Sequence, residues 1–183
     1  MTSQIPPAHR SVLRNALLLA GVVAALAAAS VARADGGNLL PRSMPKAYVP
    51  ECASCHTAYP PALLPAASWQ RLMGGLKQHY GSDASLDPAT VAQLSQWLQA
   101  NAGTYKRVRE GVSEAPPQDR ITRSAWFERK HRRIEPAVWA LPSVKSAANC
   151  AACHGGADQG RYDDDELRFP AGLTQRQRWM WHD

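Results

Sequence analysis

All four cysteines of the chain fall in two short motifs, Cys52-Ala53-Ser54-Cys55-His56 and Cys150-Ala151-Ala152-Cys153-His154. Both fit C-x-x-C-H, the pattern of covalent c-type haem attachment. The layout suits that chemistry. Two thiols three positions apart reach the two vinyl groups on one porphyrin edge, and the adjoining histidine turns under the ring to bind iron. The expectation is two haem c groups held by thioether bonds to Cys52, Cys55, Cys150 and Cys153, with His56 and His154 as the first axial ligands.

Other uses of the same residues fit less well. A four-thiolate zinc site is tetrahedral and normally draws its Cys-x-x-Cys pairs from nearby sequence, whereas 94 residues lie between Cys55 and Cys150, and zinc explains neither trailing histidine. A thioredoxin-like redox pair belongs beside a βαβ pattern, and neither motif has one. A Cys-x-x-Cys disulfide closes a small, redox-labile ring, and cross-pairing the four thiols leaves both histidines unexplained.

The second axial ligands come from a short inventory. Of the six histidines, His9 precedes an expected cleavage point, His182 is one residue from the last, and His56 and His154 belong to the motifs. His79 and His131 remain, each within an apolar periodic stretch where a neutral imidazole needs a partner to offset lost hydration. His79 stands 23 residues after His56 and His131 stands 23 before His154, so each motif has a local partner, though spacing alone leaves crossed pairing open. Met44, Met73 and Met180 are the competing ligands. Methionine would raise the reduction potential, but on an apolar stripe, as at Met73, it more often fills core.

Helices must present these groups. In "SWQRLMGGLKQHYG", Trp69, Leu72, Met73, Leu76, His79 and Tyr80 recur at helical steps, which predicts a helix capped by Ser68 and stopped at Gly81. "SLDPATVAQLSQWLQANAG" predicts a second, with Asp87 as cap, Pro88 at the first helical position and Val91, Leu94 and Leu98 buried beside Trp97. Further on, Phe127, His131 and Ile134 predict a helix stopped by Pro136, and Ser143 is expected to cap another running through Val144 and Ala147 into the second motif. The tail beyond Gly155 carries an acidic run, Asp163 to Glu166, and no clear periodicity. No stretch alternates at period two. The expected fold is all-α, with two small helical halves, 35–105 and 120–183, each around one haem and joined by a polar linker at 106–119; the macrocycles supply part of the core.

Residues 1–34 form a secretory signal: Arg10 and Arg14, a small and apolar run from Ala16 to Ala29, then Ala32-Arg33-Ala34. An anchoring span needs about 20 apolar residues and would not be expected to end in such a site, so export to the periplasm with cleavage near Ala34 is expected. Loss of Arg10, Arg14 and Arg33 takes three charges from the formal +6 and leaves +3. The remaining basic residues are interspersed with acids and give no case for nucleic acid. Lys106, Arg107, Arg109, Arg120, Arg123, Arg129, Lys130, Arg132 and Arg133 gather in mid-chain. They read as a solvated face, or as cations facing haem propionates or an acidic partner.

The stretches "ECASCHTAYPPALLPAASWQRLMGGLKQHYGSDASLD" and "RITRSAWFERKHRRIEPAVWALPSVKSAANCAACHGGADQGRY" resemble the dihaem cytochrome c family of exported bacterial electron carriers, over about Tyr48 to Pro170. The resemblance implies a bis-histidine carrier that passes electrons to a high-spin cytochrome c, the sphaeroides haem protein, and receives them from a membrane cytochrome b. It matches the four cysteines to attachment, His56 and His154 to proximal ligation, and His79 and His131 to distal ligation. Two function classes stay open on the residues themselves: a single-electron carrier without enzymatic activity, and a small haem enzyme or gas-binding protein, peroxidase-like, with one displaceable ligand.

Overall fold

The computed structural model describes residues 38–103 and 115–181, all within the unit Gly37–Asp183. The expected signal, residues 106–114 of the expected linker, and His182 lie outside the described residues.

The architecture is all-α. Six helices, α1 (Tyr48–Ala53), α2 (Ala66–Gly74), α3 (Pro88–Ala100), α4 (Ala125–His131), α5 (Pro136–Trp139) and α6 (Gln175–Trp179), alternate with short 3₁₀ turns in the described residues. The β pairing among them is confined to two isolated bridges, His79 with Ser82 and His154 with Leu167.

α3 forms as the sequence predicts: the Asp87 carboxylate accepts the Thr90 N–H at 3.0 Å and Pro88 opens the helix. Leu94 and Leu98 are buried against α2, together with Trp69, Met73, Tyr48, Ala58 and Leu64. Met73 is therefore core. Trp69 donates its indole N–H to Pro61 O at 2.8 Å, and Trp97 donates to Ser43 O at 3.0 Å while its ring lies 4.4 Å from that of Tyr48. Each aromatic buries its body and keeps a partner for its N–H.

Local expectations fail in four places. Pro65, extended, caps α2, and Ser68 is a buried residue inside the helix. The same helix ends at Gly74, because the Gly74-Gly75 pair gives it no conformational support; His79 then closes a 3₁₀ turn, Leu76–Gln78, rather than riding on the helix face. α4 stops at His131, and Pro136 starts α5 instead of stopping α4, its fixed φ suiting a first helical position. Ser143 caps nothing: its hydroxyl donates to Ala171 O at 2.7 Å, and the chain turns at Lys145, φ 70°, before reaching Cys150. Ser124, which accepts the Phe127 N–H at 3.1 Å, is the cap of α4.

Lys145 is exposed and left-handed. That conformation costs a non-glycine residue roughly 1–2 kcal/mol, part of which glycine's extra unfolded freedom would offset. Lys145→Gly is expected to stabilise the fold by about 0.5–1 kcal/mol, visible as a higher urea midpoint with an unchanged slope.

Several contacts join 38–103 to 115–181. Arg71 makes a forked pair with Asp119 at 2.6 and 2.9 Å. The Tyr80 hydroxyl donates to Gln118 O at 2.9 Å, and the Arg120 guanidinium lies 4.1 Å over the Tyr80 ring. Leu39 N–H donates to Gly160 O at 2.9 Å. Gly160, at φ 74°, sits where a Cβ would lie 2.8 Å from the Leu40 backbone nitrogen, so only glycine meets both constraints.

Candidate haem sites

Cys52 is in α1, and Cys55 and His56 follow in the turn beyond it. Ser54 shapes that turn by donating to Glu51 O at 3.1 Å. The His56 Nδ1 pairs with Thr57 O at 2.7 Å. As a donor there, Nδ1 carries the proton and leaves the Nε2 lone pair for a metal. The His79 ring stands 6.1 Å from that of His56, with 30° between the planes.

At the second motif Cys150 opens a 3₁₀ turn, Cys150–Ala152, and the His154 N–H donates back to Cys150 O at 2.8 Å. Arg168 N–H donates to Cys153 O at 2.7 Å, which pins the motif to the tail. His131, the last residue of α4, pairs its Nδ1 with Phe127 O one turn back at 2.9 Å and stacks on the Phe127 ring at 3.9 Å. Its ring lies 6.2 Å from His154, at 78° between planes.

Imidazole nitrogens lie about 2.0–2.1 Å from a first-row metal such as zinc, with the ring centroid roughly 1 Å beyond, so two rings on opposite sides of one metal have centroids roughly 6 Å apart. Both pairs meet that spacing. His79 and His154 each bury an Nδ1 without a hydrogen-bonding partner, an arrangement that costs free energy unless something else engages the ring. The geometry joins the four histidines as His56 with His79 and His131 with His154, and offers each pair one iron.

Burial favours the neutral form of three of these rings. Burial lowers the His154 pKa to about 4, the neighbouring His131 adding to the effect. Burial also lowers those of His79 and His131. Neutral imidazole is the ligating form. Among the described residues no disulfide joins the cysteines, and burial raises the Cys52 and Cys150 thiols to about 11, with Cys153 also raised. Buried, protonated thiols of this kind differ from the electropositive sites that favour thiolate ligands. Among the described residues no three His, Cys, Asp or Glu side chains gather as an ion site.

Aromatic neighbours escaped the sequence reading. Tyr59 stacks on His56 at 4.7 Å and 15°, Tyr162 meets the edge of His154 at 5.4 Å, and Trp139 lies 6.0 Å from His131. The tyrosine of "CHTAYPP", three residues past the motif histidine, was the available signal for the first of these.

A family model described as dihaem cytochrome c matches residues 48–162. Among solved structures, the new diheme cytochrome type c from Shewanella baltica OS155 shares 37% identity, covering 70% of this chain and 96% of that one, with a TM-score of 0.60. The diheme cytochrome c from Rhodobacter sphaeroides shares 42% identity over 67% of this chain and 99% of that one, with a TM-score of 0.58. The structure of DHC purified from Rhodobacter sphaeroides gives 40%, 66%, 98% and 0.54 for the same quantities. No curated protein matches the chain.

Proposed function

This chain belongs to the dihaem cytochrome c family, and from that premise we propose that it is an exported, periplasmic carrier of single electrons whose two haem irons are each closed by two histidines. The observation that carries the reading is the pair of ring separations, 6.1 Å for His56 with His79 and 6.2 Å for His131 with His154.

A bound c-type haem supplies reversible one-electron chemistry at iron. The residues do the rest. Cys52 with Cys55, and Cys150 with Cys153, would hold each macrocycle edge covalently. His56 with His79, and His131 with His154, would hold the two irons and would leave small molecules no free coordination site. Carbonyl partners on His56 and His131 orient the rings, the second-contact device by which proteins tune a metal ligand.

The exported location rests on the signal at 1–34 and the family. The electron acceptor is a high-spin cytochrome c and the source a membrane cytochrome b, as the family resemblance implies. Exposed Arg123, Arg129, Lys130, Arg132 and Arg133 favour an acidic docking face, so transfer to that acceptor should slow as salt rises.

Optical and EPR spectra of the purified holo-protein test the ligand set. Two low-spin, six-coordinate centres inert to carbon monoxide are expected. A high-spin signal or rapid carbon monoxide uptake in the native protein would replace this reading with a gas-binding or peroxidase-like one.

A further inference from the structure

Tyr59 lies between the two haem sites. Its ring stacks on His56 at 4.7 Å with only 15° between planes, and its hydroxyl donates to Ala148 O at 2.6 Å across 89 residues of sequence. Ala148 O also accepts the Cys150 N–H at 3.0 Å. A single side chain therefore touches a ligand of one site and the carbonyl that anchors an attachment cysteine of the other. Tyr59 is itself anchored, since its own carbonyl accepts the hydroxyl of Tyr48, which is 1% exposed in the core.

We propose that Tyr59 is a positioning residue shared by both sites: its ring sets the plane of the His56 imidazole, and its hydroxyl holds the backbone that presents Cys150. The proposal rests on the bis-histidine reading above. The two roles reside in different atoms, so they separate experimentally. Tyr59→Phe keeps the ring and deletes the hydroxyl, and Tyr59→Leu removes the flat ring as well.

The sites carry distinguishable reporters. Near-parallel imidazole planes split the iron dπ orbitals and give a rhombic low-spin EPR signal. Near-perpendicular planes leave those orbitals almost degenerate and give a signal with a much larger highest g value. The angles of 30° and 78° assign the rhombic signal to the His56 and His79 centre and the large-g signal to the His131 and His154 centre.

In the holo-protein, Y59F is expected to shift the g values and midpoint potential of the large-g centre while leaving the rhombic centre in place. Y59L is expected to shift both. Hydrogen bonding around the attachment sulfurs and ligands is a recognised lever on potential. A Y59F protein whose large-g signal and potential stay put, even with a lowered melting temperature, overturns the proposal, as does one in which the rhombic centre moves. A high-spin centre in the unmutated protein would instead overturn the ligand reading on which the proposal rests.

Discussion

His79→Ala is expected to convert one haem of the holo-protein to a high-spin, carbon monoxide-binding centre and leave the other low-spin and inert. His131→Ala should do the same to the other haem. Each variant would take up one equivalent of carbon monoxide per chain where the unmutated protein takes none. Alanine cannot ligate, and among the described residues the histidine ring contacts are those of His56 with His79 and His131 with His154. EPR identifies which centre opens. The H79A variant should lose the rhombic signal, because His79 faces His56 with planes 30° apart; H131A should lose the large-g signal, because His131 faces His154 at 78°. The opposite assignment would mean that the histidines pair across the two motifs, and no change in either variant would remove His79 and His131 from the ligand set.

The second large effect concerns attachment. Serine forms no thioether with a vinyl group, so the double replacement Cys150→Ser and Cys153→Ser should yield a chain carrying one haem by intact-mass measurement, with half the haem absorbance per chain and only the rhombic signal. Stability should fall too. Phe127, Val138, Val144 and Leu173 are buried in this part of the protein, but α4 has seven residues and α5 four, lengths at which helices are not stable without packing. A group that binds only the folded state stabilises it. The corresponding change at Cys52 and Cys55 should cost less, since α2 and α3 pack on one another around Leu94 and Leu98. Thermal melts of the two one-haem proteins check the ordering, and equal losses would show that the second part needs its haem no more than the first.

That contrast also explains what the sequence could disclose. α3 was legible because its signals are local: a cap at Asp87, Pro88 beside it, an apolar stripe behind. The motifs were legible because covalent attachment dictates residue type and spacing within five positions. His79 was legible as a ligand candidate but not as a turn residue, because the break at Gly74-Gly75 competes with an otherwise helical period. Around the second motif the determinants are distant. Ser143 answers to Ala171, Cys153 to Arg168 and Tyr59 to Ala148, and no helical or strand period links the members of any of these pairs. Sequence spacing left the pairing of the four histidines open, and the fold places the rings of His56 and His79 6.1 Å apart and those of His131 and His154 6.2 Å apart.

The clasp between Leu39 and Gly160 has a bearing on the order of assembly. Leu39 leads the folded unit, yet its backbone partner is a glycine that emerges from the ribosome only after both cysteine motifs have passed. Until then the Leu39 N–H lacks this partner, and contacts between positions so far apart form slowly. Closure of that seam is thus a late event that depends on a single residue without a side chain.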